Sequence, residues 1–152
     1  MTNTESKTFM DIALKEAQLA ASRGDVPVGA VIVCRGEIVA KSGNIIAANH
    51  DPTGHAEIIV IREAARILGT ERLTNCDLYV TLEPCTMCAG AISHARIRRL
   101  YYGAADEKGG GVDHGARFFT LPTCHHSPEV YSGFQETESQ KLLRDFFKER
   151  RK

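Results

Sequence analysis

Two short segments constrain this chain more than all the rest: His55-Ala56-Glu57 and, 30 residues on, Pro84-Cys85-Thr86-Met87-Cys88. Each stands where a helix is expected to open directly after a turn or a strand. Two thiols in one helical turn reach a single ion, and an imidazole with two thiolates is a familiar zinc set. The N-terminal dipole of a helix lowers thiol pKa and favours the thiolate ligand. A fold that uses these residues together must bring two helix starts to one point.

Apolar periodicity supplies those helix starts. Phe9, Ala13, Ala17 and Ala20 recur at helical spacing and predict a helix over about Thr8 to Ser22, stopped by Gly24. Val28 to Cys34 is a β-rich run, turned at Arg35-Gly36-Glu37 and answered by Ile38 to Lys41 as a hairpin. A second helix is expected from Gly54 or His55, with Ile58, Ile61, Ala65 and Leu68 buried and Gly69 closing it. Leu78 to Leu82 reads as a buried strand, Pro84 as the opening of a helix through Cys88 to Ala95, and Ile97 to Tyr102 as a further strand. A long loop, roughly Gly103 to Pro128, precedes a last strand at Glu129 to Phe134. An amphipathic helix from Thr137 to Arg151 carries Leu142, Leu143, Phe146 and Phe147. Strands alternating with helices after an opening hairpin predict an α/β protein, a three-layer α/β/α sandwich with a central mixed five-stranded sheet. With no repeat and no linker, residues 1–152 read as a single domain.

Only three protein ligands are evident. A structural zinc site has four, whereas a catalytic one leaves a position to water, whose pKa then falls to about 7. Glu57, two residues from His55, is placed to hydrogen-bond that water and move its protons. Alone, Cys-x-x-Cys also reads as a thioredoxin-like redox pair; joined to His-x-Glu it is a much stronger signal.

The five cysteines and the absence of an export signal argue against a disulfide framework. Cys34 and Cys76 read as small buried residues, His94 as a helix-end residue, and Cys124-His125-His126 as a weaker candidate for a second metal site. Acids and bases balance at 19 each, so long-range attraction to a polyanion is small. Nucleic-acid contact would then use local patches such as Arg96-Ile97-Arg98-Arg99 or the tail from Lys148 to Lys152. No signal peptide or membrane span is apparent, which points to the cytoplasm.

At these motifs the chain resembles the bacterial tRNA-specific adenosine deaminases (the TadA family) of the cytidine-deaminase-like superfamily. The likeness extends over Val26-Pro27-Val28-Gly29-Ala30-Val31, His50 to Glu57, Leu78 to Ala91, Tyr101 to Asp106, the Gly109 to Gly111 run, His125-His126 and Asp145-Phe146-Phe147. It implies one Zn2+ per subunit on His55, Cys85 and Cys88, Glu57 as the catalytic acid/base, and hydrolysis of the wobble adenosine of a tRNA anticodon stem-loop to inosine. It further implies that Asn44 and the Ala56 backbone hold the base. Asp106 would meet the ribose, Lys108 a phosphate, and Phe146 and Phe147 the flanking nucleotides, in a homodimer whose subunits share the RNA. The sequence departs from the family's usual Ala at Gly54. Two other functions fit the zinc motif: deamination of free guanine, cytosine or a nucleotide, and RNA binding by a non-catalytic zinc module.

Overall fold

The structure, a computed structural model, describes residues 3–150, so Arg151 and Lys152 of the basic tail lie outside the described residues. The first helix, α1 (Asn3–Ser22), begins several residues before its apolar pattern does. Ser6 explains the extension: it is buried, and its hydroxyl meets that of Tyr79 at 3.3 Å. The hairpin follows, β1 (Gly29–Cys34) and β2 (Glu37–Gly43). Arg35 and Gly36 both have positive φ, 55° and 80°, as a two-residue connection of right-handed twist requires.

Helix α2 (Ala56–Leu68) ends at Gly69, whose left-handed backbone returns its N–H to Ala65 O. Its buried face is Ala56, Glu57, Val60 and Ala64, not the expected Ile58, Ile61, Ala65 and Leu68. Pointing Glu57 inward sets the rotation of the helix. Small residues then face the sheet, Ile61 and Ala65 pack at its margin, and Leu68 is exposed.

Strand β3 (Cys76–Leu82), helix α3 (Thr86–Ala95) and strand β4 (Arg99–Ala104) come next. Strand β4 starts later than the apolar run because Arg96 takes a left-handed conformation (φ 62°) as the C-cap of α3. The long loop contains one 3₁₀ turn, Phe118–Thr120. Strand β5 (Glu129–Tyr131) is shorter than expected, since Ser132 and the positive-φ Gly133 leave the ladder. Helix α4 (Glu136–Arg150) closes the described chain.

The strands form one mixed sheet in the order β2-β1-β3-β4-β5. Strand β1 is antiparallel to both neighbours, while β3, β4 and β5 are parallel. Period-two alternation gives each face its own core. Ala30, Ile32, Leu78, Val80 and Leu100 meet α2 and α3, whereas Val31, Val33, Tyr79 and Tyr101 meet Met10 and Ala13 of α1. On the α1 side Tyr79 stacks on Tyr101 at 4.4 Å, and Tyr101 on Tyr131 at 5.0 Å. Cys76 is buried, and Cys34 opposite it is half-buried. At the start of β3 the Asp77 carboxylate is held by both arms of the Arg98 guanidinium, at 3.0 and 2.9 Å. Among the described residues no helix is long and apolar enough to cross a membrane.

Parallel β3 and β4 end side by side, with Leu82 facing Ala104. The carboxyl ends of parallel strands are where open α/β sheets place their ligand sites.

Candidate active site

His55 and Cys85 are the N-cap residues of α2 and α3, and neither side chain caps its own helix. Both turn to a common point instead. The His55 Nδ1 lies 3.7 Å from Cys85 Sγ and 3.5 Å from Cys88 Sγ. Zinc bonds of about 2.05 Å to nitrogen and 2.3 Å to sulfur at a tetrahedral angle require a nitrogen-to-sulfur edge of about 3.6 Å. The donor set therefore fits one zinc ion. It is the only group of three or more metal-binding side chains among the described residues. Its softness also favours zinc over magnesium or calcium.

The two thiols titrate as a hydrogen-bonded pair. Cys85 is pulled down to about 4, chiefly by the hydrogen bond from Cys88 and then by His55, while that same bond and burial push Cys88 up. His55 is raised, first by its bond to Cys85. A divalent cation bound here displaces the protons that remain on the donor set.

Burial drives Glu57 up to about 7, with its own backbone bond and His55 pulling the other way. A carboxyl group near that value can take and return a proton at neutral pH.

Since His55 does not cap α2, the first N–H of that helix needs another acceptor. Asn44, itself buried, supplies it: Ala56 N–H donates to Asn44 Oδ1 at 2.8 Å. Asp25 holds the segment beyond, accepting from Ala47 N–H at 2.6 Å and Ala48 N–H at 3.2 Å. Gly54 sits in a tight corner ahead of the helix, where an added Cβ would lie 3.1 Å from Asp51 O and 3.2 Å from its side chain. An alanine here would need Asp51 to yield by a few tenths of an ångström.

A cleft of about 200 Å³ opens over these residues, lined by Asn44, His55, Glu57, Glu83, Cys85 and Asp106, with Val26, Val28, Ile46 and Leu82 as apolar walls. That is below the usual range for drug-sized ligands and suits a single flat ring system. Asp106 stands at its rim, with Oδ1 occupied by the N–H groups of Lys108 (3.2 Å) and Gly109 (2.8 Å). Lys108 is exposed outside the cleft.

Phe146 and Phe147 do not join the cleft lining. They lie on α4 edge to face with each other, Phe146 under the Arg150 guanidinium and Phe147 exposed. The Cys124-His125-His126 segment is structural: Cys124 Sγ donates to His126 O at 3.1 Å, and His126 Nε2 donates to Ile97 O at 2.7 Å.

Glu83 is the residue the motifs did not announce. Its side chain is buried, and it binds backbone of the 106–114 segment. The only sequence hint is its place between an apolar strand and Pro84.

A mixed sheet with two helix starts meeting over a His/Cys/Cys set and a buried glutamate defines a zinc-dependent deaminase of the cytidine-deaminase-like fold. Residues 3–104 match the family described as the cytidine and deoxycytidylate deaminase zinc-binding region. The tRNA-specific adenosine deaminase of Agrobacterium fabrum is 60% identical over 147 residues, 97% of each chain. A solved structure concerned with A-to-I editing by tRNA:A34 deaminases at the wobble position is 61% identical with a TM-score of 0.88, covering 90% of this chain and 99% of that one. The guanine deaminase of Bacillus subtilis is more distant, at 34% identity and a TM-score of 0.65 over 86% of this chain and 85% of its own. The chain belongs to the tRNA-specific adenosine deaminase family.

Proposed function

We propose that this protein hydrolyses the wobble adenosine of a tRNA anticodon loop to inosine, releasing ammonia. The observation that carries the reading is a buried carboxyl group, Glu57, beside a three-donor zinc set in a cleft sized for one base. Zinc, when bound to His55, Cys85 and Cys88, supplies a Lewis acid that makes hydroxide available at neutral pH.

Glu57 takes a proton from the attacking water and passes it to N1, which makes C6 of the adenine more electrophilic. The second proton, from the hydroxyl now on C6, is carried by Glu57 to the exocyclic amine; the C6–N bond breaks and ammonia leaves, as in the zinc deaminases to which the family belongs. Backbone N–H groups at the start of α3, near Cys85, steady the developing negative charge.

Asn44 has its oxygen committed to Ala56, which fixes the side chain and leaves its two N–H donors for the base. Ala56 thereby holds the base through Asn44. The second oxygen of Asp106 is available to a ribose hydroxyl, and Lys108, on the same loop, to a phosphate. Exposed Phe147 offers a stacking face to a neighbouring nucleotide, and Phe146 with Arg150 gives a cation beside a ring. A base in a loop leaves its stack more cheaply than one in a duplex.

A chain with no net charge has little long-range pull on RNA, which favours a homodimer whose two subunits share the stem-loop. A tRNA substrate places this activity in the cytoplasm.

A second reading, guanine deamination, draws on the Bacillus subtilis relative. The test is incubation of the zinc-loaded protein with an adenosine-containing anticodon stem-loop and, separately, with guanine. Inosine in the RNA is the expected product. Xanthine from guanine, with the RNA unchanged, would transfer the assignment.

A further inference from the structure

One carboxylate joins the metal-binding turn to the loop at the cleft rim. Glu83 follows the last residue of β3 and stands two residues before Cys85. Its side chain is completely buried. Burying a charge is costly unless donors surround it, and here five do. Oε1 accepts the Asp106 N–H at 3.0 Å and faces His114 Nδ1 at 2.7 Å. Oε2 accepts the N–H groups of Val112 (3.2 Å), Asp113 (2.9 Å) and His114 (3.1 Å). The carboxylate thereby gathers both ends of the 106–114 segment.

The neighbouring backbone is fitted to it. Glu83 N–H donates to Ala104 O and Gly111 N–H to Pro84 O, each at 2.8 Å. A Cβ on Gly110 would sit 2.5 Å from the Glu83 carboxyl group, and one on Gly111 2.5 Å from Thr86 N. Two glycines are therefore needed for the loop to lie against the first turn of α3. This contact explains Gly110 and Gly111; a Cβ on Gly109 would meet the Asp106 carboxylate instead, at 3.0 Å.

We propose that Glu83 is a positioning residue for RNA: it sets where the 106–114 loop stands relative to the metal-binding turn. The inference rests on the reading of Asp106 and Lys108 as contacts to ribose and phosphate. Although Glu83 borders the cleft, both its carboxylate oxygens are taken by the loop, not offered to RNA or metal. Its effect passes through the loop, and the stiff Glu83-Pro84-Cys85 link gives that loop a fixed reference.

The decisive variant is Glu83→Gln, which keeps the shape but turns an NH2 group toward N–H donors. Metal analysis should still find one zinc per subunit. With the adenosine-containing stem-loop, KM should rise by about tenfold or more, the scale seen when supporting residues around a site are removed, and kcat should fall by less than KM rises. Amide hydrogen exchange should accelerate at Asp106, Val112, Asp113 and His114 and stay unchanged in β3 and α2.

Loss of zinc, an unchanged KM, or a loss confined to kcat would overturn the proposal. If the wild-type protein makes no inosine, the exchange measurement still decides. Acceleration confined to the loop upholds the clamp while the substrate assignment fails, and unchanged exchange overturns the clamp. Should Glu83→Gln not fold, Glu83→Asp and His114→Ala carry the same test. Each should give a smaller rise in KM, about two- to fivefold, below the tenfold expected of Glu83→Gln because part of the clamp is kept, and an unchanged KM in both overturns the inference.

Discussion

Cutting either partner of the Asp77–Arg98 pair breaks the same ion pair, but the two cuts should differ widely in cost. The Asp77 side chain is 1% exposed and that of Arg98 43%. Replacing Arg98 with Met strands a carboxylate that has no other hydrogen-bond partner among the described residues, at the foot of β3. Breaking a fully buried pair in this way costs about 3–5 kcal/mol. Water that now reaches the Arg98 head would reach part of the vacated space, which lowers the expectation to about 2–3 kcal/mol.

Replacing Asp77 with Asn leaves the guanidinium free to turn to solvent and keeps one acceptor for it, at about 1 kcal/mol. For a chain of this length each kcal/mol moves the melting temperature by about 2–4 °C. Urea unfolding of the zinc-saturated variants, with unchanged m-values, should place Arg98→Met well below Asp77→Asn. The double variant, with no charge left behind, should be more stable than Arg98→Met alone. Equal costs, or the reverse order, would refute the burial argument.

Four further outcomes are expected. Glu57→Gln should keep one zinc per subunit by metal analysis and lose about 10²–10⁴-fold in inosine formation, the usual weight of a general acid/base; turnover near the wild-type rate would remove Glu57 from the reaction. Asn44→Ala should cost about 1–3 kcal/mol in urea unfolding, because the buried Ala56 N–H loses its acceptor, and should lower kcat/KM with zinc retained. Treatment with a chelator should abolish activity, and zinc but not magnesium should restore it; recovery on magnesium would contradict a thiolate-bound ion. The His114 imidazole should titrate above 6.5, raised by its bond to Glu83, so its stabilisation is present below pH 6.5 and fades as pH rises through that raised value. An NMR titration midpoint that stays put in Glu83→Gln would deny the pairing.

Much of the site was legible because metal chemistry writes itself in residue types and spacing. His55, Glu57, Cys85 and Cys88 have few other reasons to stand at two helix starts. Ordinary packing was less legible. The apolar residues of α2 are more numerous than its buried positions, and the rotation that buries Ala56, Val60 and Ala64 is set by where Glu57 must point.

Glu83 left almost no trace, since its partners are mostly backbone N–H groups 23 to 31 residues away, and any sequence supplies those. Phe146 and Phe147 were selected by resemblance, and they stand on α4 outside the cleft lining. The start of α1 was missed because polar Ser6, not an apolar residue, is what its first turns bury.

The tyrosine stack on the α1 side gives the molecule an uneven optical character. The chain has no tryptophan and four tyrosines. Tyr79, Tyr101 and Tyr131 are ring on ring, whereas Tyr102 looks to the other face and bonds Asp113. Coupled rings dominate near-ultraviolet circular dichroism. The aromatic spectrum therefore weighs the layer farther from the metal more heavily, with Tyr102 the one tyrosine reporting on the catalytic face.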